Sequence, residues 1–211
     1  LTSDGKTRIK ALWDMSDAAG TGPNGVGKVY TSSDINSLLA GNGGESDTNG
    51  HGSQVAGTAA GNGFGTGGAL PSGMFAGIAP EADLVIVKAT RSATAQVSFY
   101  DDDIIAAMSF IRDQAAALNE PFVINLSIGS HFSSHDGNDP LEVAVDNLIA
   151  SGNGRQVVVA AGNDGNAGIH AGGFIAEGSE VSIPFTVSSS AVGLLALYQA
   201  ADTVSARIIK P

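Results

Sequence analysis

Between residues 84 and 161 the chain alternates short apolar runs with stretches whose apolar residues recur every three or four positions. LVIVKA (84–89) is branched and nearly continuous in apolar character, the pattern of a strand buried on both faces. Asp101 to Asp103 then precede Ile104, Met108, Ile111, Ala115 and Leu118 at helical spacing, which puts three carboxylates at the positive end of a helix dipole. After the Glu120-Pro121 break, FVINLSI (122–128) predicts a second strand. Pro140 opens another helix, with Leu141, Val145, Leu148 and Ile149 on one face, and Gly152 stops it. QVVVAA (156–161) is a third strand, running into Gly162 and Asn163. Strand, helix, strand, helix, strand, with buried strands, predicts a parallel sheet with right-handed crossovers.

The flanks have a different texture. Residues 1–50 are polar and rich in Gly, Ser, Thr and Asn, and only RIKALW (8–13) alternates like a strand, so most of this region is expected to be surface loop. GHGSQVAGTAAG (50–61) predicts a helix from about Gly52, and GNGFGTGGALPSG (61–73) is too glycine-rich for a core element. Beyond Gly172, EVSIPFTV (180–187), GLLALYQ (193–199) and TVSARII (203–209) alternate apolar and polar positions with no helical period. They predict antiparallel strands of a β-sandwich, too few to close one. The expected organisation is an α/β unit over 1–170 and the beginning of a jelly-roll-like sandwich over 171–211.

Composition narrows the function classes. Ten Lys and Arg against 21 Asp and Glu give a formal net charge of −11, which argues against an electrostatic grip on nucleic acid or an anionic membrane. With no cysteine there are no thiolate metal sites, no Cys nucleophile and no disulfides. No basic-then-apolar leader opens the sequence and no run approaches bilayer length, which suits a mature chain, a cytosolic one or a piece of something longer.

In an open parallel sheet, ligands bind beyond the carboxyl ends of the strands. The second strand leads into Ser127-Ile128-Gly129, where a glycine lets a peptide backbone pair with the segment as an added strand. The third leads through Ala160, Ala161 and Gly162 to Asn163, whose amide could donate to an oxyanion. Taken singly, Asn163 is more simply a turn residue, Ser127 to Gly129 a strand end, and His51 a helix-start histidine. Their conjunction, in order, points to a site.

HGSQVAGTAAG resembles the histidine motif of the subtilisin-like serine proteases, usually HGTHVAG, and GIAPEADLVIVK resembles the segment that follows it. INLSIGS is similar to their substrate-binding strand, and VVVAAGN to the segment bearing the oxyanion-hole asparagine. RIKALWD resembles a stretch found just after the aspartate motif in bacterial and clostridial-type members. The first four of these matches cover roughly residues 50–165 in family order. The resemblance implies a doubly wound parallel sheet with helices on both faces and hydrolysis of peptide bonds through an Asp-His-Ser triad. It makes His51 the general base and Asn163 the oxyanion donor, with Ser127, Ile128 and Gly129 aligning the substrate. The expected partners are a peptide or protein substrate and the remainder of the same protease as a second chain. An extracellular location is favoured.

Two departures stand out. No apolar strand ending in an Asp-Ser/Thr-Gly motif precedes His51; Asp4, Asp14, Asp17, Asp34 and Asp47 lie in polar sequence and are expected to be solvated or capping carboxylates. No Gly-Thr-Ser nucleophile motif follows Asn163, and Ser188 to Ser190 are expected to be turn serines. Gln54 also replaces a histidine common in the family, a change expected to alter local packing only. The simplest expectation is that the triad Asp and Ser lie before Leu1 and beyond Pro211, so that the chain by itself is inactive. The competing expectation is a pseudoenzyme that binds peptide or a partner protein near Ser127. A phosphate-binding α/β protein fits poorly, because neither GNGFGTGG nor GNDGNAG ends in Lys-Ser/Thr. The resemblance also implies structural calcium in the loop after Gly61, where the sequence offers no carboxylate. No other cofactor or metal is expected, and His131, His135 and His170 are expected to be surface histidines.

Overall fold

The computed structural model describes residues 2, 4–39, 46–65, 69–94, 98–187, 190, 192–199 and 201–209. Among them five strands and four α-helices follow in chain order: β1 (Ile9–Asp14), β2 (Lys28–Thr31), α1 (Ser32–Leu39), α2 (His51–Ala60), β3 (Leu84–Lys88), α3 (Asp101–Leu118), β4 (Phe122–Leu126), α4 (Pro140–Ala150) and β5 (Arg155–Val159). The helix and strand boundaries expected between Leu84 and Val159 lie within a few residues of these. Residues 1–50 hold more than the expected loop, because β1, β2 and α1 all fall there.

The strands form two separate sheets. In the first, β1 is central, antiparallel to β2 (Trp13 opposite Val29) and parallel to β3 (Trp13 opposite Val87). In the second, β4 and β5 run parallel with Ile124 opposite Val157. A single parallel sheet was the expectation from the β3-α3-β4-α4-β5 order. The described strands depart from it twice: β3 and β4 are not hydrogen-bonded to each other, and β2 is antiparallel. The β1–β2 connection folds back on itself before β2, with the Thr21 and Gly22 N–H groups donating to the Gly27 carbonyl, and so returns the chain antiparallel without a crossover.

Helix α3 holds the two sheets together because it is apolar on two sides. Ala107 and Phe110 pack with Ala11 and Trp13 of the first sheet and with Met15 just after it, the Trp13 and Phe110 ring centroids lying 5.3 Å apart. Met108 packs with Ile124 of β4 and Leu148 of α4. The helix ends are set locally. Asp139 accepts from the Leu141 backbone N–H while Glu142 accepts from that of Asp139, a capping box with Pro140 in the first turn. Asn119, in the left-handed region at φ 56°, closes α3.

Among the described residues, helices do not cover both faces of the second sheet, as the continuous apolar runs led one to expect. Val123 and Val158 are more than half exposed, on the face opposite buried Ile124. From Ala160 onward the described residues are exposed and form no strand. The alternating segments 180–187, 193–199 and 203–209 have no ladder partner among the described residues, and a strand with neither partner nor apolar cover has nothing to order it. Ser188 and Ser189 lie outside the described residues. No helix among the described residues is long and apolar enough to cross a membrane.

Candidate active site

His51 is the first residue of α2. Gly50 before it takes φ 87°, a left-handed backbone that a side chain would strain. The far end of α2 is docked by a returning segment: Gly77, Ile78 and Ala79 donate backbone N–H bonds to the carbonyls of Gly61, Thr58 and Ala59. Gly77 comes so close that a Cβ there would lie 2.7 Å from the Gly57 and Thr58 carbonyl oxygens. Arg8 adds a guanidinium at the negative end of the helix dipole, bonded to the carbonyls of Ala60, Pro80 and Ala82.

The resulting cleft, about 460 Å³, is lined by His51, Gln54, Val55, Thr58, Ala59 and Ile78 on one side and by Asn125 and Ser127 on the other. His51 and Ser127, two of the residues singled out in the sequence, therefore share one cavity although α2 and β4 are far apart in sequence. Ile128 and Gly129 continue the chain beyond Ser127 but do not line this cavity, and neither does Asn163. Gly129 has open space around it, since a Cβ there would meet nothing within 4 Å. Asn163 is exposed in the loop after β5. The next residue, Asp164, approaches His131 Nε2 at 2.8 Å and so ties that loop to the one following Ser127 to Gly129. His131 is exposed, as expected, but is engaged in that contact.

Sequence reasoning missed Asn125, which donates from its amide to Ser127 Oγ at 2.8 Å. A polar residue between Ile124 and Leu126 in an otherwise apolar strand was the available signal.

The carboxylates divide by environment. Asp14 is not a solvated loop residue: it ends β1, is 3% exposed, accepts from the Ser16 N–H and hydroxyl, and lies 3.6 Å from Lys88 Nζ. It lies on the face of β1 opposite Ala11 and Trp13, and its burial follows from the central place of β1, where Asp14 is flanked by Lys28 of β2 and Lys88 of β3. Asp17 and Asp34 are held below the usual carboxylate range, by the Tyr30 and Thr31 hydroxyls first. Asp47 behaves as a capping carboxylate. Its oxygens accept backbone N–H bonds from Asn49, Gly50 and Ser53, and those of Ser53 and Gly50 contribute most to lowering its pKa to about 2. No carboxylate among the described residues bonds the His51 ring.

The loop after Gly61 is where the resemblance implies calcium. It contains no carboxylate, the Asn62 side-chain oxygen accepts from the Phe64 N–H, and no three His, Asp or Glu side chains converge among the described residues.

A model of the Subtilase family matches residues 24–205, most of the chain. The chain belongs to the subtilase family. A subtilisin of Bacillus sp. (strain TA39) is 40% identical over 140 residues, 66% of this chain and 27% of the relative. The subtilase-type proteinase psp3 of Schizosaccharomyces pombe is 38% identical over 124 residues, 57% of this chain and 22% of its own length. The chain thus spans only about a quarter of these curated relatives. Among solved structures, the CspB protease of Clostridium perfringens superposes with a TM-score of 0.66 at 28% identity, covering 81% of this chain and 34% of that one. The subtilase fold accounts for the α/β arrangement around β3-α3-β4-α4-β5. The matched range also contains α2 and its histidine, both loops beyond the second sheet, and the extended segments up to residue 205.

Proposed function

We propose that this chain is the histidine-bearing part of a subtilase serine endopeptidase that hydrolyses peptide or protein substrates. The observation that carries the reading is the cleft in which His51 of α2 faces Asn125 and Ser127 at the end of β4. His51 takes the proton from a serine hydroxyl as that oxygen attacks the scissile carbonyl, then delivers it to the departing amine. The acyl-enzyme is hydrolysed by the same steps with water as nucleophile. Asn163 donates its amide N–H to the tetrahedral oxyanion, and the extended Ser127-Ile128-Gly129 backbone aligns the substrate as an added strand.

In this reading the nucleophilic serine and the aspartate that orients His51 come from sequence outside these 211 residues, in the same polypeptide or as a second chain. Three features support that division. The His51 ring has no carboxylate partner among the described residues. The β4–β5 sheet leaves Val123 and Val158 open on one face. β3 and β4 stand on separate sheets although α3 packs on both. The alternating segments beyond residue 171 are then the start of a β-sandwich that orders with the rest of the protein. Peptide hydrolysis measured on the isolated 211 residues and on the complete protease tests the assignment. Turnover is expected only from the complete protein; turnover by the isolated chain would mean that it holds its own nucleophile.

A further inference from the structure

Helix α2 is poorly equipped to hold itself together. It has ten residues, two of them the internal glycines Gly52 and Gly57, and isolated helices of that length are marginal in water even for alanine-rich sequences. Its N-cap is Gly50, which has no side chain to meet the free N–H groups of the first turn. That work falls to a residue outside the helix. Asp47 Oδ1 accepts from the backbone N–H groups of Asn49 (3.1 Å) and Gly50 (2.7 Å), and Asp47 Oδ2 from that of Ser53 (2.8 Å). Asn49, the next step of the same turn, reaches the His51 N–H at 3.4 Å through its side-chain oxygen. His51 is thus carried by a loop and first turn that converge on one carboxylate, while its own ring has no anchoring hydrogen bond among the described residues.

We propose that Asp47 is a positioning residue for His51: its carboxylate fixes the Asp47–Ser53 turn and thereby the place from which the imidazole works. The proposal rests on the reading of His51 as the proton-transfer group. The donors that hold Asp47 also keep it ionised at any pH where a serine protease would work, so the negative cap is permanent there. A capping role confined to stability would change how much protein is folded. A positioning role changes turnover per active site.

The test uses the complete protease with wild-type, Asp47→Ala, Asp47→Asn and His51→Ala forms. Active sites are counted by exhaustive labelling with a fluorophosphonate, kcat and KM are measured with a peptide anilide, and amide exchange is followed over residues 50–54. For Asp47→Ala the expected result is a kcat per labelled site lower by roughly 10- to 100-fold, with KM within about 3-fold, since small misplacements of a catalytic group cost that much. Exchange over 50–54 speeds up. Asp47→Asn, which keeps one acceptor oxygen and the turn, falls between Ala and wild type; if Asp47→Ala fails to fold, a fall of at least about 3-fold in kcat for Asp47→Asn is the required result. An Asp47→Ala enzyme, or an Asp47→Asn one where Ala does not fold, with kcat per site within twofold of wild type overturns the positioning role alone. Wild-type hydrolysis that survives His51→Ala overturns the underlying reading as well.

Discussion

Gly77→Ala should loosen the far end of the helix that bears His51, and the size of the effect can be worked from the structure. The new Cβ would lie 2.7 Å from the Gly57 and Thr58 carbonyl oxygens and 2.8 Å from the Ala60 nitrogen. These are backbone atoms that cannot swing aside, so the returning segment must move off α2. Movement puts at risk the bonds from Gly77 to Gly61 (2.6 Å), from Ala79 to Ala59 (2.9 Å) and from Ile78 to Thr58 (3.2 Å). At ~0.5–1.5 kcal/mol net each, losing two of them costs ~2 kcal/mol, and residual overpacking adds ~1 kcal/mol or more. A total of ~3 kcal/mol is a substantial share of a typical domain's stability of ~5–15 kcal/mol. Trp13, the single tryptophan, is 1% exposed and reports urea unfolding by its fluorescence. Gly65→Ala is the control, because a Cβ there meets nothing within 4 Å. A Gly77→Ala protein within ~0.5 kcal/mol of wild type, with the control equally neutral, would refute the claim that this contact clamps α2.

Met108→Ala should cost ~2–5 kcal/mol in the same urea assay, because Met108 is 2% exposed between Ile124 and Leu148 and truncation leaves a cavity in the second core. The Arg91–Asp103 pair predicts an asymmetry: Asp103 is buried while Arg91 is about half exposed, with a two-nitrogen contact at 2.6 and 2.9 Å. Arg91→Met, which strands a buried carboxylate, should destabilise by ~2–4 kcal/mol, and Asp103→Asn by less, since Arg91 can turn to water; equal losses would contradict this. For pH, the folded-state pKa of Asp47 is lowered from 3.8 to about 2, and those of Asp17 and Asp34 are lowered too. The stability they contribute is present above the unfolded pKa near 3.8 and is lost as pH falls toward 2, so Asp47→Asn should flatten the acid limb of a stability–pH curve; an unchanged limb contradicts the cap.

The elements between Leu84 and Val159 were legible because each is long or strongly patterned, whereas the segments beyond residue 171 alternate as plainly and form no strand among the described residues. α3 has a helical period over 18 residues, α4 has a Pro start with an Asp-Pro-Leu-Glu box, and β3 and β5 are branched apolar runs. What was not legible depended on contacts far away in sequence. β2 and α1 are short and polar, and β2 owes its strand to its partner β1 rather than to its own composition. Asp14 looked like a loop carboxylate because the residues after it are polar, yet it ends the central strand β1 and is buried between Lys28 of β2 and Lys88 of β3. The separation of β3 from β4 could not be read from strand order, which fixes which elements alternate but not which edges meet. At the site, the histidine and the strand end were legible as motifs. Their common cavity, the Asn125–Ser127 bond and the convergence of Asp47 on the His51 turn required the three-dimensional arrangement.

The central claim is that His51 is the proton-transfer group of a subtilase site, and kcat/KM for a peptide substrate in the complete protease, wild type against His51→Ala, tests it most directly. The account predicts hydrolysis by the wild type and a loss of at least about four orders of magnitude in the variant, with the folded state, read from circular dichroism, unchanged. Hydrolysis by His51→Ala at a rate near that of the wild type would contradict it.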